Sequence, residues 1–108
     1  MKTGDIVLIP FPFAESKRKK VRPSIVIGIT NDKFKDLIVC AVSSVVPEKI
    51  TKTQMMIFPS SVNKLRSVSL IRVDRIVTLP VGDIITKLGS LTRAETTQFK
   101  KIFKSLVD

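Results

Sequence analysis

The sequence predicts a mainly β fold: a small barrel of five or six short strands with one helix at the C-terminus. Three observations carry this. Short apolar runs rich in β-branched residues recur along the chain, punctuated by Pro, Gly and Asn-Asp. Only the last stretch, from Thr92, spaces its apolar residues as a helix does. The length of 108 residues suits one domain over 1–108 with one modest core. So many short strands in so small a domain are best satisfied by a barrel that closes its own edges.

Gly4-Asp5 is a turn signal. Ile6-Val7-Leu8-Ile9 follows as a short buried strand, because its apolar character does not alternate. Pro10-Phe11-Pro12-Phe13 is expected to leave the ladder, since neither proline has an N–H to give. Ala14 to Lys20 is polar, ends in four consecutive cations, and reads as an exposed mobile loop.

Two apolar runs split by Thr30-Asn31-Asp32-Lys33-Phe34 then read as a hairpin from Arg22 to Val46. A loop at residues 31–34 places Thr30 opposite Lys35. The expected pairs are Ile27–Ile38, Ile25–Cys40 and Pro23–Val42 on one face. Val26–Val39, Ser24–Ala41 and Arg22–Ser43 fall on the other. A guanidinium and a hydroxyl then sit side by side, with ~5 Å between their Cβ atoms. A slip of one residue would turn side chains to the opposite face.

Pro47-Glu48-Lys49 ends the hairpin, and polar loop runs to Thr53. Gln54 to Phe58 is a strand stopped by Pro59, and Ser60 to Lys64 is a turn or a single helical turn. Ser67 to Leu79 has strand character, with Ile71, Val73, Val77 and Leu79 on one face and Arg72, Asp74, Ile76 and Thr78 on the other. Arg72 and Asp74 either line a groove or pair with each other. Pro80-Val81-Gly82-Asp83 breaks the strand, and Ile84 to Leu88 reads as strand or short helix. Thr92 and Glu95 fit a capping box, each side chain bonding a free backbone N–H. Phe99, Ile102, Phe103 and Leu106 form one apolar helix stripe for the core. Lys100, Lys101 and Lys104 lie toward the helix C-terminus, where cations suit the dipole.

The chain carries 19 basic and 9 acidic side chains, a net charge of +10, which favours a polyanionic partner: nucleic acid, an acidic protein or an anionic membrane surface. From Lys17 to Arg22 five of six residues are basic, which makes either a phosphate-gripping arm or a solvated loop. Cys40, the single cysteine, cannot form an internal disulfide and reads as a buried thiol in a strand. The lack of histidine and the lone cysteine exclude a His-based triad and His- or Cys-ligated zinc. No signal-peptide pattern and no membrane-length apolar run is present, so a cytoplasmic location is expected.

The motifs also stand in a telling order. Gly4-Asp5-Ile6-Val7 leads into a strand and a basic loop, Arg22-Pro23 opens the second strand, and Ser43-Ser44 ends the third. Ser69 to Leu79 and then Leu88-Gly89-Ser90-Leu91-Thr92 complete the set. Over nearly its full length the chain resembles the MazF/PemK (Kid-like) toxins of bacterial type II toxin–antitoxin systems.

The resemblance implies an SH3-like β-barrel of up to seven strands with a C-terminal helix, usually a homodimer. It implies a sequence-specific endoribonuclease (an mRNA interferase) that needs no metal and no cofactor. The 2′-OH of single-stranded RNA attacks the adjacent phosphate, giving 2′,3′-cyclic phosphate and 5′-OH ends and inhibiting translation and growth. The family's catalytic Arg and strand-ending hydroxyl map to Arg22 and Ser43. Glu15 matches the family's loop acid by neighbourhood and is the candidate acceptor of the 2′-OH proton. Lys17, Arg18, Lys19, Lys20, Ser44 and Arg72 are the candidate RNA contacts. The family often has Pro-x-Thr where this chain has Ala41-Val42-Ser43, and Ser44 becomes the active hydroxyl if the register shifts.

The chemistry agrees with this mapping. In-line attack adds negative charge to the phosphoryl oxygens, which a forked guanidinium and a hydroxyl stabilise. An acidic antitoxin tail lying across the same cations is the expected second partner. Two other readings keep the fold: a basic nucleic-acid-binding module without chemistry, and a toxin that binds DNA gyrase. The Ile6–Phe13 and Met55–Phe58 runs serve either a dimer interface or the core.

Overall fold

The computed structural model describes residues 1–13 and 16–107, with 12, 13 and 16–19 by backbone alone. Strands β1 (Asp5–Phe13), β2 (Ser16–Ile29), β3 (Leu37–Ser43), β4 (Gln54–Ile57), β5 (Ser69–Leu79) and β6 (Thr86–Ser90) precede helix α1 (Arg93–Ser105). They form one antiparallel sheet in the order β4-β5-β3-β2-β1-β6, curled into a half-barrel. The mainly β class, the strand count and the C-terminal helix are as expected from the sequence.

Pairing fixes which residues share a face. Ile6 lies opposite Ile25, and Ile25 opposite Cys40. These join Val42, Ile71, Met55 and Ile57 in a core cluster capped by Phe99 and, from the same helix, Ile102, Phe103 and Leu106. The other face carries Val7, Ile9, Phe11, Val26 and Val39 in a second cluster. β1 is therefore buried on both sides, which explains its unbroken apolar character. Met55 and Ile57 also belong to the core, so both runs offered as interface candidates are largely spent on packing within this chain, Phe58 remaining exposed.

The helix begins as expected. Thr92 N donates to Glu95 Oε1 at 2.8 Å, and Glu95 N donates to Thr92 Oγ1 at 3.2 Å. Ile84 to Leu88 resolves as strand for its second half, in β6.

Five expectations need correction. Pro10 and Pro12 do not leave the ladder; they pair with Val21 and Lys19. The Leu8 carbonyl accepts from Ile85 N on the β6 side, so residues of that parity turn their backbone groups toward β6. β6 pairs with β1 only as far as Leu8. The missing proline N–H groups thus face an open edge, where they cost no ladder bond. As a result the basic stretch is not a loop from Ser16 on: it is the first part of β2.

The hairpin register holds over Ser24–Ala41, Ile25–Cys40 and Val26–Val39. A bulge then makes Gly28, not Ile27, the partner of Ile38. The loop is residues 30–36 rather than 31–34. Thr30 N donates to Asp36 O at 2.8 Å, and Lys35 takes φ 54. Asp32 organises the loop by accepting from Thr30 Oγ1, Phe34 N and Lys35 N. The Thr30 bond is the chief cause that holds its carboxyl below the ordinary value. Last, Arg72 and Asp74 form no ion pair: Asp74 Oδ2 accepts from Thr53 Oγ1 at 3.2 Å. Among the described residues the ion pair is Lys87–Asp5, at 3.4 Å.

Candidate functional site

Arg22 lies on β2 opposite Ile9. The proline after it restricts its backbone to extended conformations. Pro23 also has no N–H on the side that faces β3, and the β2–β3 pairing ends at Ser24–Ala41. Beyond that point the two strands part, leaving a notch between Arg22 and the end of β3.

Ser43 is the last residue of β3 and lines the notch. Its Oγ accepts from Val45 N at 3.1 Å and reaches Val45 O only at 3.5 Å. The hydroxyl is thus anchored as an acceptor, and its own hydrogen has only a marginal partner in the turn.

Arg72 and Arg75 come from β5. Ala41 pairs with Arg72 while Cys40 pairs with Ile76, so Val73, Asp74 and Arg75 bulge out of the ladder. Val73 N donates to Thr53 O at 3.1 Å, drawing the bulge toward β4. This re-aims Arg75, which strict alternation would place on the face opposite Arg72. Arg22, Ser43, Ser44, Arg72 and Arg75 together line a hollow of about 260 Å³, with Phe11 in its wall. Arg72 is half-buried, and its Nε is shielded from solvent with no hydrogen-bond partner among the described residues.

A second hollow of about 280 Å³ adjoins the first and shares Arg22, Val42 and Ser44 with it. Its wall includes Leu8 and Pro23, which pair with each other on the helix-side face, and Lys64 and Arg66 from the loop before β5. One hollow therefore opens on each face of the sheet, and Arg22 stands where they meet. Among the described residues no carboxylate lines either one, while five cations do.

The loop that presents Lys64 and Arg66 is held from within. Asn63, 0% exposed, accepts from Ser60 N at 3.0 Å and Leu65 N at 2.9 Å, and donates to Phe58 O at 2.8 Å. Gly89 of β6 packs beneath it: a Cβ there would stand 2.7 Å from Asn63 O.

The structure brings together four of the residues singled out from sequence: Arg22, Ser43, Ser44 and Arg72. Lys20 is exposed, opposite Phe11. Lys17, Arg18 and Lys19 lie along β2, and their side chains, like the whole of Glu15, lie outside the described residues. Arg75, Lys64 and Arg66 were not anticipated. Cys40 is buried beneath the sheet, and burial pushes its thiol up from 9.0 to about 12, as suits an inert core group.

The family model described as "PemK-like, MazF-like toxin of type II toxin-antitoxin system" matches residues 2–107. The chain belongs to this toxin family. The solved structures it resembles include "Endoribonuclease in complex with its cognate antitoxin from Mycobacterial species", at 13% identity and TM-score 0.71, covering 99% of this chain and 94% of that one. They also include "Mycobacterium tuberculosis toxin MazF-mt6", at 18% identity and TM-score 0.69, covering 96% of each chain. At such identities the likeness is one of fold. No curated protein matched the sequence.

Proposed function

We propose that this toxin is an endoribonuclease that cuts single-stranded RNA by attack of the 2′-OH on the adjacent phosphate, with Arg22 at the centre of the site. The observation that carries the proposal is the clustering of Arg22, Ser43, Arg72 and Arg75 around one hollow of about 260 Å³ that no described carboxylate lines.

The attack puts extra negative charge on the non-bridging phosphoryl oxygens. Arg22, fixed by the proline after it, offers a planar fork of donors to those oxygens. Ser43 donates its hydroxyl hydrogen to the same group, its Oγ being oriented by Val45 N. Arg72 and Arg75 hold the neighbouring phosphates and neutralise the chain as it bends over the notch. Expulsion of the 5′-oxygen, which takes a proton from water, leaves a 2′,3′-cyclic phosphate and a 5′-OH. The guanidinium groups stay protonated and supply no base. Glu15, which lies between β1 and β2 in the sequence, is the carboxylate we assign to accept the 2′-OH proton.

The same cations suit a second occupant. An acidic antitoxin segment laid across both hollows would compete with RNA for Arg22, Arg72, Arg75, Lys64 and Arg66. One structure of like fold is described in complex with its cognate antitoxin.

The test is incubation of a long single-stranded RNA with the purified toxin in EDTA, with both new ends analysed. The expected products are discrete fragments with 5′-OH and 2′,3′-cyclic phosphate ends. Intact RNA from a well-folded toxin, bound with an affinity that falls smoothly with salt, would replace the proposal with a binding module.

A further inference from the structure

We infer that the second hollow, on the helix-side face, is a base-reading subsite that selects a keto base, uracil or guanine, next to the cleaved phosphate, with Arg66 as the reading residue. This rests on the ribonuclease reading and adds the origin of sequence preference to it.

Position comes first. The hollow shares Arg22, Val42 and Ser44 with the first, so a phosphate held at Arg22 has one flanking nucleotide at its mouth. Its volume, about 280 Å³, fits one nucleotide rather than a longer segment.

The walls suit a base. Leu8, Pro23, Leu65 and Leu88 make an aliphatic floor for the flat face of a ring. At the rim stand Lys64 and Arg66, which only donate hydrogen bonds. Asn63 makes its three bonds within the loop, and Ser69 Oγ donates to Ser67 O at 3.0 Å, so the strong polar groups left to meet a base edge are the two cations. No Asp, Glu, Asn or Gln is among the described lining residues. A rim that donates pairs with an edge that accepts. The uracil carbonyls and the guanine O6/N7 edge accept, whereas adenine at N6 and cytosine at N4 turn an amino donor toward these two cations.

The rim is also rigid, which selectivity requires. Lys64 takes φ 56, and its N–H bonds Ser60 O at 2.9 Å. Leu65 is packed into the core, and Gly89 lets β6 press against the backbone of Asn63. Arg66 therefore projects from a fixed root, and it is itself exposed, so replacing it leaves the core intact.

The experiment measures binding of fluorescent 2′-O-methyl octamers of U, A and C, which cannot undergo 2′-OH attack, to wild type and Arg66→Gln. Cleavage-site sequencing of a natural RNA runs in parallel. The wild type should bind the U octamer about tenfold more tightly than the A or C octamer. Arg66→Gln should reduce that preference to about twofold or less, and cut sites should lose a U/G bias at one position flanking the cut. Equal binding of all three octamers by wild type, or a preference that survives in Arg66→Gln, would overturn the subsite. An Arg66-dependent U preference without any cleavage would keep the subsite and sink the ribonuclease.

Discussion

Replacing Asn63 with Ala tests whether one buried side chain holds the loop that walls the second hollow. Asn63 makes three hydrogen bonds to backbone groups of its own loop, at 2.8, 2.9 and 3.0 Å, and is 0% exposed. Truncation removes all three. Each bond contributes ~1 kcal/mol net, and a buried group left unpaired costs more than the bond was worth. The Leu65 N–H, in a buried residue, has the least access to water. The expected loss is therefore about 3 kcal/mol. For a chain of this size that corresponds to a fall of roughly 12 °C in Tm. Denaturant unfolding followed by circular dichroism, with the slope m unchanged, measures it. A loss below about 1 kcal/mol would mean that water replaces the side chain and that Asn63 is not the keystone described.

Other outcomes follow from the same structure. Thr92→Ala should cost about 1 kcal/mol by removing the hydroxyl that accepts from Glu95 N, read in the same unfolding assay. Ser43→Ala should slow RNA cleavage about tenfold or more, with Ser44→Ala close to wild type; the reverse order would transfer the hydroxyl role to Ser44. The thiol of Cys40 is raised in the folded state, from 9.0 to about 12, so the folded protein keeps a proton that the unfolded chain gives up. That contribution to stability is full below pH 9 and lost as pH rises toward 12, and Cys40→Ala should flatten this part of the stability–pH curve. Reaction with a thiol reagent at pH 8 should be slow until the protein unfolds.

Much of this was legible in the sequence, because it rests on local pattern. The capping box at Thr92, the apolar stripe ending in Leu106 and the pairing of Ser24 with Ala41 are all set by residue types at fixed spacing. Arg22 and Ser43 could be placed near one another because the hairpin register survives as far as Val26–Val39. What failed lies where the ladder is irregular. The prolines of β1 looked like strand breakers because their parity relative to β6 is a tertiary fact. The extra residues in β5 have no local mark, and strict alternation puts Arg75 on the face opposite Arg72. Asn63 sits in a polar turn and reads as surface, yet it is buried and carries the loop that presents Lys64 and Arg66.

The most direct test of the proposed site is the single-turnover cleavage rate of Arg22→Ala and Arg22→Lys against wild type, with folding checked by thermal unfolding. Loss of one preorganised donor set at the phosphate should slow Arg22→Ala by about 100-fold or more. Arg22→Lys should recover only part of that, since a point charge lacks the planar fork. A well-folded Arg22→Ala that cleaves within about threefold of wild type would contradict the site built here around Arg22.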